Sequence, residues 1–201
     1  MKDETKEIVK LTAKELFFGF FDSAVSLLSV FDRHKTYRRS INQYFEEREI
    51  DHSNFKEKIY YLKKVGLIKT FIAGKETYAE LTSKGLEQVV WHNFGQRERP
   101  VQWDGRFRLI IFDIPEEKHY LRDIIRCKIE KLGFIQIQKS VYVYPFECKE
   151  EINALCYFTG AKEFLKYMIA DIIEGEEDII IKFLDSGVLT KEQLVIKNLR
   201  P

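Results

Sequence analysis

The sequence predicts a mixed α/β (α+β) protein of two domains, and three observations lead to this prediction. The 201 residues suffice for one domain or for two small ones. The polar segment Asn93–Gly105, with two glycines and one proline, separates two regions of strong hydrophobic patterning. The first region shows helical periods and then a hairpin, whereas the second alternates strands with helices. We therefore predict a winged helix-turn-helix over residues 1–98 and a ferredoxin-like βαββαβ domain with a short tail over residues 99–201.

The composition excludes several classes of protein. Hydrophobic residues make up 45% of the chain, which excludes a disordered or low-complexity protein. A net charge of +1 excludes a uniformly basic nucleic-acid coat but allows a local basic face. The three cysteines form no CxxC pair, so we expect neither a disulfide framework nor a cysteine zinc site, and a cytoplasmic protein. The apolar run Leu16–Phe31 contains Asp22 and is too short to span a bilayer, so we expect a buried helix and no membrane partner.

The first domain is predicted to run helix, helix, helix, hairpin, helix. The first helix begins near the capping-box spacing of Thr12 and Glu15, and Gly66 ends the third. The further helices are predicted around Tyr37–Glu47, from Ser53 to Lys64 and over Ser83–His92, and the hairpin strands over Leu67–Ile72 and Thr77–Leu81. Three helices followed by a hairpin is the order of a winged helix-turn-helix, which places its third helix in the major groove of DNA.

The third helix carries the candidate DNA contacts. Phe55, Ile59 and Leu62 share one of its faces, so the opposite face is open to a partner. Ten basic and six acidic residues lie within Asp32–Lys69, which concentrates positive charge around this helix. Asparagine can bind an adenine edge, and lysine and tyrosine can bind guanine or phosphate. The predicted contacts are Asn54, Lys56, Lys58, Tyr61, Lys63 and Lys64 on the helix, with Lys69 and Lys75 on or beside the wing.

The second domain is predicted to have the order βαββαβ of a ferredoxin-like fold. Its first strand, Arg106–Asp113, is a continuous apolar run of the kind found in a central strand. The other elements are a helix over Glu116–Leu132, strands over Phe134–Gln138 and Ser140–Phe146, a helix over Lys149–Phe158 and a strand over Phe164–Ile172. Beyond them we expect at most a short helix over Asp178–Leu184 and a tail over Lys191–Leu199.

The stretch Trp103–Pro145 carries a family resemblance. It combines a Trp-Asp-Gly-Arg lead-in, an Asp-Ile-Pro-Glu turn, a Gly-Phe pair after the helix and a Gln-x-Ser-Val strand, in this order. In this combination it resembles the central region of the PaaX transcriptional repressors. From Leu109 the same stretch is similar to the CRISPR-associated Cas2 proteins, whose ferredoxin-like fold PaaX shares.

The resemblance implies a DNA-binding transcriptional repressor. PaaX repressors continue with a further C-terminal region, which this chain is expected to lack. Because that region can carry the response to an effector, phenylacetyl-CoA is not carried over as a ligand, and the effector stays unknown.

The Cas2 resemblance implies a metal site. In Cas2 proteins an aspartate at the end of the first strand, which Asp113 matches, holds a divalent metal together with its copy in the dimer mate. Ser140 matches the serine on the strand nearby, so both are candidate nuclease residues, with Mg²⁺ or Mn²⁺ at Asp113. Arg122 and Arg126 share a helix face and could contact phosphate. The structural alternatives are that Asp113 caps the following helix and that Ser140 bonds to a neighbouring strand.

We therefore predict a PaaX-like transcriptional regulator that represses by binding double-stranded DNA as a homodimer and needs no cofactor. One alternative is a Cas2-like metal-dependent nuclease, or an adaptor in CRISPR adaptation, whose winged helix recruits DNA. The other is a protein-docking module, in which the lysines of the third helix are a solvated face.

Overall fold

The computed structural model of the chain describes residues 12–21, 36–48, 51–171 and 174–194. The chain forms two compact units, Met1–Gln96 and Arg97–Pro201. Within the described residues each unit combines helices with one antiparallel sheet. The predicted α+β class is therefore confirmed.

The first unit contains the predicted succession of helices and a hairpin. Its elements are α1 (Ala13–Phe21), β1 (Arg38–Ser40), α2 (Ile41–Glu46), α3 (His52–Lys64), β2 (Ile68–Ala73), β3 (Glu76–Leu81) and α4 (Ser83–Gln96). The described strands form one antiparallel sheet in the order β1-β3-β2. Two helices followed by a hairpin that a short third strand completes is the order that a winged helix-turn-helix has.

The second predicted helix begins later than expected. The sequence pattern placed its start at Tyr37, but Arg38–Ser40 is a strand that pairs with β3, with Arg38 opposite Glu80. The Ser40 hydroxyl accepts a hydrogen bond from the Gln43 N–H at 3.1 Å, which makes Ser40 the N-cap of α2. Helical periodicity alone missed this strand because the pairing partner lies about forty residues further along the chain.

Capping interactions define both ends of α3. The Asp51 carboxylate accepts a hydrogen bond from the Asn54 N–H at 2.6 Å at the N-terminus. Gly66 adopts φ 75°, and the N–H of Leu67 reaches the carbonyl of Leu62 at 3.0 Å, so the helix ends in a Schellman motif. The predicted stop at Gly66 follows from this left-handed conformation.

The core of the first unit is aromatic. Phe17, Phe20 and Phe21 of α1 are buried, and the ring of Phe20 lies 4.6 Å from that of Tyr44 on α2. The part of the predicted buried helix that is described therefore packs in the core, while residues 22–31 lie outside the described residues. Among the helices that the structure describes, none is long and apolar enough to cross a membrane.

The second unit has the ferredoxin-like order of elements. They are β4 (Phe107–Phe112), α5 (His119–Lys131, entered through a 3₁₀ turn at Glu116–Lys118), β5 (Ile135–Gln138), β6 (Val141–Tyr144), α6 (Lys149–Thr159), β7 (Leu165–Ala170) and α7 (Glu176–Asp185). The sheet order is β5-β6-β4-β7, and every described pair is antiparallel. The predicted βαββαβ fold is confirmed.

Side chains cover both faces of the central strand β4. On one face Phe112 stacks on Tyr142, whose hydroxyl donates to Glu130 of α5 at 3.4 Å. On the other face Phe107 belongs to a buried cluster with Phe183 of α7. Because successive strand residues point to opposite faces, a strand covered on both sides has a continuous apolar sequence, as observed here.

The helix α7 has a larger role than the sequence suggested. The pattern predicted at most a short helix over Asp178–Leu184, whereas α7 spans Glu176–Asp185 and buries Ile179 and Phe183 against the sheet. These two residues are four apart and so share one helix face. Of the predicted tail, residues 195–199 lie outside the described part of the chain.

The turn before β4 is locked by a buried arginine. Arg108 is 7% exposed at its side chain and binds both carboxylate oxygens of Asp104, at 2.7 and 2.6 Å. Asp104 also accepts the Arg106 N–H at 3.0 Å, and the Trp103 indole N–H donates to the Arg106 carbonyl at 2.9 Å. Burial alone would raise the pKa of Asp104, but the Arg108 and Arg106 hydrogen bonds and charges outweigh it and lower this pKa.

We predict that Gly85→Ala destabilises the protein. A Cβ atom at Gly85 would lie 2.0 Å from the carbonyl oxygen of Leu67, so α4 must shift away from the segment before β2. Overpacking of this kind costs about 1–3 kcal/mol, which urea unfolding would detect. Gly95→Ala on the same helix is the control, since a Cβ there meets nothing within 4 Å. It should raise the free energy of unfolding by about 0.5–1 kcal/mol, and equal effects of the two changes would contradict the assigned contact.

We predict that Asp104→Asn destabilises the protein in a pH-dependent way. Because the folded-state pKa of Asp104 lies below the ordinary 3.8, its ionised form stabilises the fold above the unfolded-state pKa. That stabilisation is lost as the pH falls through the folded-state pKa. Urea unfolding should therefore show a deficit in the variant at about pH 7 that shrinks at about pH 3.

The matched control for this measurement is Asp171→Asn. Asp171 also pairs with an arginine, Arg106 at 2.8 Å, but its side chain is 76% exposed. An exposed pair contributes little, so we expect almost no change in stability at either pH. A deficit for Asp104→Asn that is the same at both pH values would contradict the ionic role of Asp104.

Candidate nucleic-acid interface

The outer face of α3 is basic and aromatic. Phe55 and Leu62 are each 3% exposed and hold the inner face in the core. The exposed residues on the other side are Ser53, Lys56, Glu57, Tyr60, Tyr61, Lys63 and Lys64. Spaced three and four residues apart, they form one continuous surface along the helix. Four of the predicted contacts, namely Lys56, Tyr61, Lys63 and Lys64, lie on this surface.

Two predicted contacts lie at the flank of this face instead. Asn54 is half-buried, and its Oδ1 is buried without a hydrogen-bond partner in the described part of the chain. Lys58 is half-buried, and its Nζ lies 3.2 Å from a carboxylate oxygen of Glu57. Both residues lie next to the buried side of α3, which centres on the line from Phe55 to Leu62. Their predicted contacts with DNA stay predictions.

Sequence reasoning missed Tyr60. Its side chain is 67% exposed, more than that of Tyr61 at 51%, and it lies almost opposite Leu62 on the helix. The prediction counted Ile59 as part of the inner face, although Ile59 is only half-buried, and this shifted the assumed centre of that face. A helical projection centred on Phe55 and Leu62 alone would have placed Tyr60 on the outer face.

The wing positions of the two predicted lysines differ. Lys75 is exposed in the turn Gly74–Lys75 between β2 and β3, where Gly74 adopts φ 64°. Lys69 lies on β2, and its Nζ is 2.7 Å from Glu80 on the neighbouring strand. Arg38 on β1, which the sequence did not single out, binds the same carboxylate at 2.6 Å. Burial would raise the pKa of Glu80, but these two cations lower it, so Glu80 is ionised at neutral pH.

In the second unit the structure brings Asp113 and Ser140 to the same end of the sheet. The Phe112 N–H donates to the Ser140 carbonyl at 3.1 Å, and the Asp113 N–H donates to the Phe164 carbonyl at 3.0 Å. Asp113 is exposed and lines an open cleft of about 440 Å³ with Ile111, Pro115, Glu163, Phe164 and Lys166. Ser140 stands in the turn between β5 and β6 and is half-buried.

Arg122 and Arg126 brace the backbone around this end of the sheet. Arg122 donates to the carbonyl of Ile114 at 2.7 Å, and Arg126 donates to the carbonyl of Lys139 at 3.2 Å. Both guanidinium groups therefore hold loops next to Asp113 and Ser140. Their predicted contacts with phosphate would have to use the remaining donors.

The surroundings of Asp113 do not by themselves form a divalent-metal site. Nowhere in the described residues do three or more His, Cys, Asp or Glu side chains converge. The second carboxylate of the cleft, Glu163, lies 3.8 Å from Lys118, and Lys166 adds a positive charge. A cation there would need its other oxygen ligands from water, phosphate or a second copy of the chain.

The other predicted role of Asp113, as a helix cap, is wrong. Pro115 is the residue that precedes the 3₁₀ turn at Glu116–Lys118, and no side chain caps this turn by a hydrogen bond. Ile114 and Pro115 separate Asp113 from the turn, so Asp113 does not occupy the N-cap position. Only from that position could its carboxylate accept hydrogen bonds from the first free N–H groups of the turn.

The comparisons with known proteins concern the second unit. Residues 100–180 match the family model of the PaaX protein central Cas2-like domain. No curated protein matches the chain. The matched range includes the locked turn at Asp104, the strand end at Asp113 and the turn at Ser140. The predicted resemblance to the PaaX family is confirmed over residues 100–180, the part of the second unit that the family model covers.

Proposed function

We propose that the protein is a PaaX-like transcription regulator that represses by binding double-stranded DNA as a homodimer. The match of residues 100–180 to the PaaX central domain carries this proposal. The first unit supports it independently, because a capped helix with a basic outer face precedes a hairpin that presents Lys69 and Lys75. This is the combination by which winged helices contact a base edge and the backbone beside it.

The charge on α3 suits a phosphate backbone. Lys56, Lys63 and Lys64 are exposed on one side of the helix, with Glu57 as the one acidic residue of the outer face. Lysines at such positions bind phosphate and give affinity that depends on salt. Tyr60 and Tyr61 add hydroxyl donors and apolar ring surface, which can contact phosphate oxygens and thymine methyl groups.

The alternatives have less support. A protein-docking helix is expected to present an extended apolar patch, whereas on the outer face of α3 the two tyrosines lie between Lys56 on one side and Lys63 and Lys64 on the other. A nuclease needs a site that holds a divalent ion, and Asp113 shares its cleft with Lys166 and with Glu163, whose carboxylate lies 3.8 Å from the Lys118 ammonium group.

The homodimer is proposed on the edge strand β7. This strand pairs with β4 on one side, and no strand of the described residues lies on its other side. Met168 and Ile169 are 43% and 52% exposed on its two faces. An unpaired edge strand with exposed apolar side chains is a template for strand pairing, and pairing with the same strand of a second copy gives a closed two-fold interface.

We predict that Lys64→Ala weakens binding to all duplex sequences alike. Loss of one phosphate contact in each subunit of the homodimer should lower the slope of log K against log salt by about 1.8, which fluorescence anisotropy with labelled duplex DNA would measure. Lys131→Ala is the control, since Lys131 is likewise exposed in the last turn of a helix but belongs to the second unit. Wild-type affinity that does not vary with salt would refute DNA binding through this face.

We predict that Ile169→Lys converts the homodimer into a monomer. The change replaces an exposed apolar side chain of the edge strand by a second charge in addition to Lys166, and this charge would have to be buried without a partner when two copies pair. Light scattering should report twice 24.0 kDa for the wild type and 24.0 kDa for the variant. Ile181→Lys on α7 is the control, since Ile181 is 53% exposed and lies away from the edge strand. A wild type of 24.0 kDa at micromolar concentration would contradict the homodimer.

A further inference from the structure

Three charged residues form a row across the sheet of the first unit. Arg38 of β1 and Lys69 of β2 both stand directly opposite Glu80 of the middle strand β3. The Glu80 carboxylate binds Arg38 Nε at 2.6 Å through one oxygen and Lys69 Nζ at 2.7 Å through the other. The carboxylate side chain is 7% exposed, whereas the cations are 52% and 63% exposed. The row thus presents two cations to solvent and hides the anion between them.

The position of the Arg38 guanidinium is fixed from two sides. Its Nε is bound to Glu80, and its central carbon lies 5.0 Å from the centre of the Phe71 ring. Phe71 in turn stacks on Tyr78 across the strand pair, with ring centres 5.6 Å apart. Among the described residues no protein group binds the two terminal nitrogens of this guanidinium. Within that part of the chain they are oriented donors without an acceptor.

The neighbouring Arg39 has a different environment from the exposed Arg38. Arg39 points to the opposite face of β1, where it donates to the carbonyl of Phe20 at 2.9 Å and lies 4.7 Å from the centre of the Tyr44 ring. Its side chain is 23% exposed. Arg39 therefore holds the core together, while Arg38, one residue earlier, faces outward.

We propose that Arg38 and Lys69 form a two-phosphate binding site on the outer face of this sheet, for the backbone of double-stranded DNA. The proposal rests on the proposed function and extends it to Arg38, which lies outside the helix and the hairpin that a winged helix-turn-helix is expected to use. Glu80 is a positioning residue that holds both cations in place.

The chemistry of the row favours phosphate over other partners. Guanidinium and ammonium groups are the standard ligands of phosphate oxygens, and the row keeps a net charge of +1 after Glu80 is counted. The two cations converge from the neighbouring strands on the two oxygens of one carboxylate. Each keeps hydrogen-bond donors that Glu80 does not use, so each can bind one phosphate of the duplex. Exposed Lys75 at the turn of the same hairpin extends the positive surface.

The experiment measures the salt dependence of binding to a random-sequence duplex, long enough for two half-sites one helical turn apart. In the homodimer each change removes one contact per subunit, so Arg38→Ala and Lys69→Ala should each lower the slope of log K against log salt by about 1.8, and the double variant by about 3.6. Arg38→Lys keeps the charge and should keep the slope. Arg106→Ala is the control, because Arg106 is 53% exposed and ion-paired like Arg38 but lies in the second unit. Its slope should equal that of the wild type.

The outcomes separate this inference from the proposed function. Slopes of Arg38→Ala and Lys69→Ala equal to that of the wild type, with DNA binding intact, would overturn the two-phosphate site and leave the regulator standing. Wild-type binding that is absent or independent of salt would overturn both. Thermal unfolding of each variant identifies a loss of fold. If Arg38→Ala unfolds, the two other variants still test the site. The proposal then requires a reduced slope for Lys69→Ala and an unchanged slope for Arg38→Lys.

Discussion

The second unit depends on the burial of β4 from both sides. A strand with Phe107 facing α7 and Phe112 facing α5 cannot slip by one residue without exchanging its two faces. The turn that feeds this strand is fixed by Arg108, whose buried charge requires the Asp104 carboxylate beside it. The lead-in motif of the PaaX resemblance is thereby explained physically. Its aspartate balances a buried arginine, and its tryptophan closes the turn through a hydrogen bond to the Arg106 carbonyl.

Other motif residues of the second unit also fix its turns. The turn that contains Ser140 is held through the carbonyl of Lys139, which accepts hydrogen bonds from Arg126 and from Gln136. Gly133 ends α5 with φ 94°, a conformation in which any other residue would be strained. These residues shape the sheet and its connections. Asp113 is different, because its carboxylate is exposed and makes no hydrogen bond within the described residues.

In the first unit charge and packing are divided between the two faces of each element. On α3 the apolar residues face the core and the lysines face out, and on β1 Arg39 faces in while Arg38 faces out. Glu80 is the residue that connects the pattern across strands, since one buried carboxylate orders cations on both neighbours. A positive surface assembled in this way is held in place before any partner arrives, which reduces the entropy lost on binding.

Elements whose signals are local could be predicted from the amino-acid sequence. The period of α3, the stop at Gly66, the apolar run of β4 and the order βαββαβ were all predictable, because each depends on neighbours within a few residues. Elements that depend on residues far away in the sequence could be seen only in the folded chain. The strand β1 exists because Arg38 meets Glu80 about forty residues away, and α7 becomes part of the core because Phe183 meets Phe107. Packing also decides that Lys58 is half-buried and that Ile59 is not part of the buried side of α3.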